Sequence, residues 1–279
     1  MVLTDRDAAH IEAFLSGYQA SSMFLRSNLR RAGVTDRGQP HGGTWVGLGD
    51  PIESVAFHGW NGIVIAQCPT RVEDAVREVV ARSGRAVTGL LGPWAQVESA
   101  RAALGMLERP TRVCSREVLF SLRLDALTLP EALVAGRVTV RRATARDHAT
   151  LAAWRRDYEV EMTAATPGPE LDEKASRSIA GLLDDGAIFV AEEGDAPVAM
   201  STFNARLPDV VQIGGVWTPR DLRSRGRARS CVAGSLRLAR GEGVASSILF
   251  TGASNAAAQR AYRAIGFEAV GDYGVLLFA

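Results

Sequence analysis

The chain has little lysine, little cysteine and little histidine. Lys174 is the single lysine against abundant arginine, a bias that reflects a GC-rich coding sequence more than a function. Three cysteines, Cys68, Cys114 and Cys231, lie far apart in apolar surroundings. That excludes a disulfide framework and fits reduced core thiols. His10, His41, His58 and His148 are scattered without metal-ligand spacing, so no metal is expected. No apolar run approaches the ~20 residues a membrane-spanning helix needs, and residues 1–14 are charged from Asp5 onward, unlike a secretory signal. A net charge of +1 gives no bulk attraction to nucleic acid or anionic membrane. The expectation is a cytoplasmic protein with neither as partner.

What is present is a core. Nearly half of the 279 residues are hydrophobic and about a quarter are charged, enough for one large domain or two ordinary ones. Thr4 and Asp7 form a reduced capping box before a helix over 5–18, with Ile11, Phe14, Leu15 and Tyr18 on one face. A second helix is expected at 23–29, then strands at 44–48, 52–58 and 62–68, the last two joined by the turn Gly59-Trp60-Asn61-Gly62. A helix at 72–81, a strand at 86–91, a helix at 96–104 and a strand at 117–122 follow. The pattern loosens over 125–136, where the junction between domains 1–130 and 137–279 is placed. The second half reads as a strand at 138–141, helices at 147–161 and 171–183, a hairpin about Gly194-Asp195, and then the decisive stretch. Leu151, Trp154, Tyr158 and Met162 face inward on the first of these helices, and the loop 163–169 holds two prolines.

That stretch is an apolar strand ending Gly214-Gly215-Val216-Trp217-Thr218, stopped by Pro219, which cannot donate to a ladder. The turn Arg223-Ser224-Arg225-Gly226-Arg227-Ala228 follows, and then a helix with Ala228, Cys231, Val232, Ser235, Leu236 and Ala239 at core spacing. A strand, a basic glycine turn and a helix aim free N–H groups and a positive dipole end at one point, as a pyrophosphate requires. Arg223, Arg225 and Arg227 are expected to supply charge. Downstream come a strand at 247–251, a helix from Asn255 through Tyr262 to Gly266-Phe267, and a closing strand at 275–278.

The turn resembles the (Arg/Gln)-x-x-Gly-x-(Gly/Ala) motif of the GCN5-related N-acetyltransferases, and Asn255 to Phe267 resembles that family's second signature, Asn-x-x-(small)-x-x-x-Tyr-x-x-x-Gly-Phe. Gly214 to Pro219 and the long preceding domain look closest to the glycine N-acyltransferase-like subgroup. The resemblance implies an α/β fold: a mixed, mostly antiparallel sheet flanked by helices. The first half reads as a worn second copy. Residues 88–105 align with the strand, turn and helix ending at Ile265-Gly266, with Trp94 in the asparagine slot, Arg101 in the tyrosine slot and no cofactor turn.

The resemblance also implies acetyl-CoA as co-substrate and transfer of its acetyl group to a primary amine of a small molecule or peptide, by a monomer or homodimer. Val216, Trp217 and Thr218 would pair with the pantetheine arm on a splayed strand, and Arg223 to Ala228 would hold the pyrophosphate. Gly214-Gly215 favours such a distortion. Asn255 caps its helix and orients the arm. Tyr262, two turns on along the same face, would protonate the leaving thiolate. Glu159 is the candidate base, with Glu161 a weaker one that reads as a solvated surface residue, as does His148. Arg229 adds charge at the helix start. The rival reading is a non-catalytic acyl-CoA-binding protein, against which an intact Tyr262 argues.

Overall fold

Alternation along the strands decides which residues are covered and by what. Trp45, Val55, Phe57 and Ile65 fall in one apolar cluster, while their neighbours Val46, Ala56, Val64 and Ala66 fall in another. That is the two-residue period of a pleated sheet with helices on both faces. The computed structural model describes residues 1–163 and 165–279. The elements are α1 (Ala8–Ser16), α2 (Met23–Ala32), β1 (Gly43–Leu48), β2 (Ser54–Gly59), β3 (Ile63–Gln67), α3 (Val72–Ser83), β4 (Gly89–Pro93), α4 (Trp94–Ala103) and β5 (Thr111–Arg123). The chain continues through α5 (Glu131–Val134), β6 (Thr139–Arg142), α6 (His148–Thr163), α7 (Pro169–Asp184), β7 (Ile188–Glu193), β8 (Ala196–Arg206) and β9 (Val210–Trp217). It ends with α8 (Arg227–Gly241), β10 (Ser246–Gly252), α9 (Ala256–Arg263) and β11 (Glu268–Phe278).

Two compact units result, one of residues 1–120, 250–254 and 269–279, the other of 121–249 and 255–268. In the first, β1, β2 and β3 are antiparallel, β4 lies parallel to β3, and β11 pairs antiparallel with β4. The closing strand, expected within the second half, therefore groups with the first unit. Its Tyr273 to Leu277 pair with Gly89 to Pro93, and its Leu276 and Phe278 enter the cluster of Val76, Val97 and Ala100. Hydrophobic period identifies a strand but not its partner. In the second unit, β6, β7, β8 and β9 are successively antiparallel and β10 is parallel to β9.

The two halves share one order of elements: a 3-10 turn, two helices, three antiparallel strands, a helix, a parallel strand, a helix and a last strand. The expected copy has a stronger signature than the one read near Trp94. The boxes Thr4–Asp7 and Thr144–Asp147 have the same N-cap geometry, φ −130° and ψ 174°. In each, the Asp carboxylate accepts the Thr backbone N–H at 2.8 Å. Asp147 is buried and also receives a two-pronged bond from Arg141, at 2.8 Å on each oxygen. That pairing leads the causes that hold its carboxyl down at about 2.

In the second unit α6 and α7 cover one side, Leu151 and Ile179 packing with Ile188, Val190, Met200 and Trp217. Helix α8 buries Cys231, Val232, Leu236 and Ala239 as its spacing predicts. It approaches β6 so closely that a Cβ on Gly234 would lie 2.4 Å from Val140 Cβ. Three expectations need correction. Met162 is exposed, because it lies in the last turn of α6, beyond the strands that helix covers. Cys114 is exposed on the outer part of β5, where alternation leaves every second residue in water. The expected linker 125–136 contains α5, a single turn that buries Leu133. Within the loop 163–169, Ala164 lies outside the described residues.

Candidate functional site

The site begins where β9 departs from its neighbours. Gly214 has no side chain because Asn204 occupies that space, its Nδ2 only 2.0 Å from where a Cβ would stand. Gly215 adopts φ +52°, and the β8–β9 register slips between Met200↔Trp217 and Thr202↔Gly214, so β9 carries one extra, bulged residue. On its other side, β9 pairs with β10 only over Val210–Gln212. From Ile213 to Trp217 the backbone has no ladder partner there among the described residues. Val216 is half-buried at this edge. Trp217 Nε1 and Thr218 Oγ1, at the strand's end, are buried without a hydrogen-bond partner.

After Pro219 the chain folds back on itself. Arg223 donates Nε to Thr218 O at 2.9 Å, lays its guanidinium 4.7 Å over the Trp217 ring, and grips Glu161 with Nη1 and Nη2 at 2.8 and 3.1 Å. Arg220 holds the same carboxylate at 2.9 Å. These pairings, Arg223 first, lower the Glu161 pKa from its ordinary value. Glu161 is thus an exposed carboxylate, as expected of a surface residue, that latches α6 to the loop through two arginines. His148 is half-buried, its Nε2 3.2 Å from Ser176 O.

Ser224 at φ +65° and Gly226 at φ +73° give the turn its shape. Gly226 is the N-cap of α8 and offers no side-chain cap. The first-turn N–H groups of Arg227, Ala228 and Arg229 therefore point outward at the positive end of a 15-residue helix. Arg227 does not add its charge to that opening. It is buried, chelating Glu193 through Nε and Nη2 and donating Nη1 to Leu222 O at 3.0 Å. Arg223 is likewise engaged by Glu161, so the exposed cation of the turn is Arg225. Beside the turn lies a cavity of about 500 Å3, reached by Arg225, Gly226, Arg229 and Ser230.

Asn255 caps α9, its Oδ1 accepting the Ala258 N–H at 3.1 Å. Tyr262 is half-buried on that helix, its ring edge-on to Phe267 at 6.0 Å. Burial pushes its phenol above the ordinary value, and the phenol of Tyr158 adds to the effect. Tyr158, an inward residue of α6, stands T-shaped against Trp217 at 6.2 Å. Arg155 is a residue the sequence did not single out. It holds Glu159 at 2.5 Å, lies 5.2 Å over the Tyr158 ring, and brings Nη1 to 3.6 Å from where a Cβ on Gly215 would be. Glu159 is thus largely buried in an ion pair on α6. An arginine four residues before a glutamate was the one available signal.

Residues 150–267 match the model of the acetyltransferase (GNAT) family. This segment is similar to a GNAT domain. The match runs from the start of α6 through the glycine turn and Tyr262. Solved structures resemble the whole chain. A Drosophila protein, 12% identical, covers 99% of this chain and 97% of its own with a TM-score of 0.66. A GCN5-related N-acetyltransferase from Kribbella flavida, 20% identical, covers 100% and 96% with a TM-score of 0.56. A tandem GNAT protein from the clavulanic acid biosynthesis pathway, 13% identical, covers 100% and 97% with a TM-score of 0.54. At such identities the likeness is one of fold. No curated protein matches the sequence.

Proposed function

We propose that the GNAT domain transfers an acetyl group from acetyl-CoA to a primary amine of a small molecule or peptide, directly in a ternary complex. The observation that carries this reading is the uncapped start of α8 at Gly226 following the unpaired edge of β9. The residues fit such a co-substrate. Buried, unpartnered Trp217 Nε1 and Thr218 Oγ1 lack partners at the strand's end, and the outward amides of Arg227, Ala228 and Arg229 suit a pyrophosphate. Val216 to Thr218 would pair with the pantetheine arm as an added strand does. Arg223 and Ser224 shape the turn, Arg225 adds charge, and Asn255 fixes the start of the helix that carries Tyr262.

The bound thioester supplies an activated acyl carbon. The amine nitrogen bonds to that carbon and the C–S bond breaks. The amine's proton leaves to Glu159, directly or through water, and the departing sulfur takes the phenolic proton of Tyr262. A phenol held above its ordinary pKa stays protonated at neutral pH, and general acid catalysis of this kind is worth ~10²–10⁴ in rate.

The first unit is proposed not to bind a second co-substrate. Cys68 follows β3 as Thr218 follows β9, and its amide N–H is taken by Gln96 Oε1 at 2.7 Å. Counted from the helix N-caps Pro93 and Asn255, Gln96 corresponds to Ala258. A long side chain in the first unit thus fills what a methyl group leaves open in the second.

The experiment is thiol release from acetyl-CoA by the full chain, with amino acids, polyamines, aminoglycosides and peptides as acceptors. Amine-dependent release with an acetylated product supports the reading. Tight binding of acetyl-CoA without transfer to any acceptor class contradicts it and leaves a binding protein.

A further inference from the structure

Helix α6 carries three carboxylates, Asp157, Glu159 and Glu161, all in its second half, and arginines hold every one of them. Arg156 donates Nε and Nη2 to Asp157 at 3.0 and 2.7 Å. Arg155 Nη2 holds Glu159 at 2.5 Å, and Arg220 and Arg223 share Glu161. The Arg155 pair differs from the other two in where it lies. Its two side chains are only 23% and 12% exposed. From Glu159 the guanidinium reaches over the Tyr158 ring, 5.2 Å from its centre, and on to the β9 bulge at Gly215. The Tyr158 ring in turn stands T-shaped against Trp217. A carboxylate beside an aromatic face is the surrounding that attracts an ammonium group. Here the chain supplies the cation itself. An ion pair taken this far out of water adds little stability over apolar residues of the same volume, so stability alone does not account for its place.

Resting on the acetyl-transfer reading, in which the amine meets the thioester beside Glu159, we propose that Arg155 restricts the acceptor to an amine without a second positive charge. An ammonium elsewhere on the acceptor meets the Arg155 guanidinium at the bulge and finds the α6 carboxylates already matched. Like charges brought together in a partly desolvated site repel strongly, and such repulsion suppresses wrong partners. The reacting amine is favoured as the free base for the same reason, since a neighbouring cation disfavours the charged form. The acceptor class is therefore a monoamine whose remaining groups are neutral or anionic. Polyamines, aminoglycosides and lysine-bearing segments are excluded. Arg155 sets this specificity and takes no part in the bond changes.

The test is thiol release by the full chain at saturating acetyl-CoA, with acceptors in pairs that differ by one ammonium group. The pairs are propylamine against diaminopropane, free glutamine against free lysine, and a short peptide with glutamine or lysine as its second residue. In every pair that is acetylated, the wild-type kcat/KM is expected to favour the less cationic member about tenfold or more, through KM more than kcat. Arg155→Gln leaves the Glu159 carboxylate without its cation, so the ratio falls to near one or inverts. Arg155→Lys keeps the charge and keeps the preference. Equal kcat/KM within the pairs for the wild type, or a preference that survives in Arg155→Gln, would overturn the inference while leaving acetyl transfer standing. The wild-type ratio and the Arg155→Lys result do not depend on the glutamine variant folding. Transfer to no acceptor in any pair would contradict the acetyl-transfer reading and end this inference with it.

Discussion

Arg223 stacks over Trp217 at 4.7 Å while its Nε closes on the carbonyl of Thr218 at 2.9 Å. One side chain thus ties the loop to the strand end it follows, and Glu161 fixes that side chain from α6. Arg223→Ala is expected to weaken acetyl-CoA binding about tenfold and to alter Trp217 fluorescence, because the cation–π contact and a charge-assisted bond are both lost. Arg223→Lys should rescue little, since an ammonium cannot span both Glu161 oxygens and the Thr218 carbonyl. Titration followed by tryptophan emission checks both.

Tyr262→Phe keeps the ring against Phe267 and removes the acid. The expected result is kcat lower by roughly 10²-fold or more with acetyl-CoA affinity unchanged. Because the phenol is raised above its ordinary value, the wild-type rate should show no alkaline loss from this group near pH ~10, where an unperturbed tyrosine titrates. A steady-state pH profile would reveal a limb there if the phenol were not the buried one.

Gly234→Ala places a methyl group 2.4 Å from Val140 Cβ, and both atoms belong to rigid, packed elements. Overpacking of this kind costs about 1–3 kcal/mol. Denaturant midpoints measure it, and an unchanged midpoint would show that α8 can lift from β6.

Stability should fall on acidification in two stages. His58 is wholly buried, with Ser83 Oγ 2.6 Å from Nδ1 and Gly62 O 3.2 Å from Nε2, and burial depresses its pKa. A histidine depressed in the fold takes up its proton on unfolding, so its contribution is present above ~6.5 and fades as pH falls below that. Asp147, held at about 2, contributes above its unfolded value of ~4 and loses that contribution as pH falls toward 2. The Asp147 part amounts to about 2 kcal/mol, and Asp147→Asn should remove the lower stage from a plot of unfolding free energy against pH.

Acetyl-CoA is expected to bind once per chain, because Gln96 occupies the Cys68 amide of the first unit. Calorimetric stoichiometry near two would refute the assignment of a single site.

Much of this was legible from residue types. Gly226, Asn255 and Tyr262 stand in spacings that only a strand–turn–helix and a capped helix explain, and the structure puts each on its expected element. The copy in the first half was legible too, and its clearest mark is the pair of boxes Thr4–Asp7 and Thr144–Asp147. What sequence could not supply is pairing. Nothing in Tyr273 to Leu277 says that they would lie against Gly89 to Pro93, since a period of two is the same for any partner. Nor could it separate Arg225 and Arg229 from Arg227, because a guanidinium's availability depends on which carboxylate the fold brings to it. Tyr158 and Arg155 were hidden for the same reason, ordinary helix residues until β9 was placed beneath them.

The central claim is that the bulged end of β9 and the uncapped start of α8 together receive acetyl-CoA, and amide hydrogen exchange with and without that molecule tests it most directly. Added protection is expected only in peptides covering residues 213–218 and 225–229, with no change around Cys68 in the first unit. Saturating acetyl-CoA that leaves those two segments unprotected, or that protects the first unit instead, would contradict it.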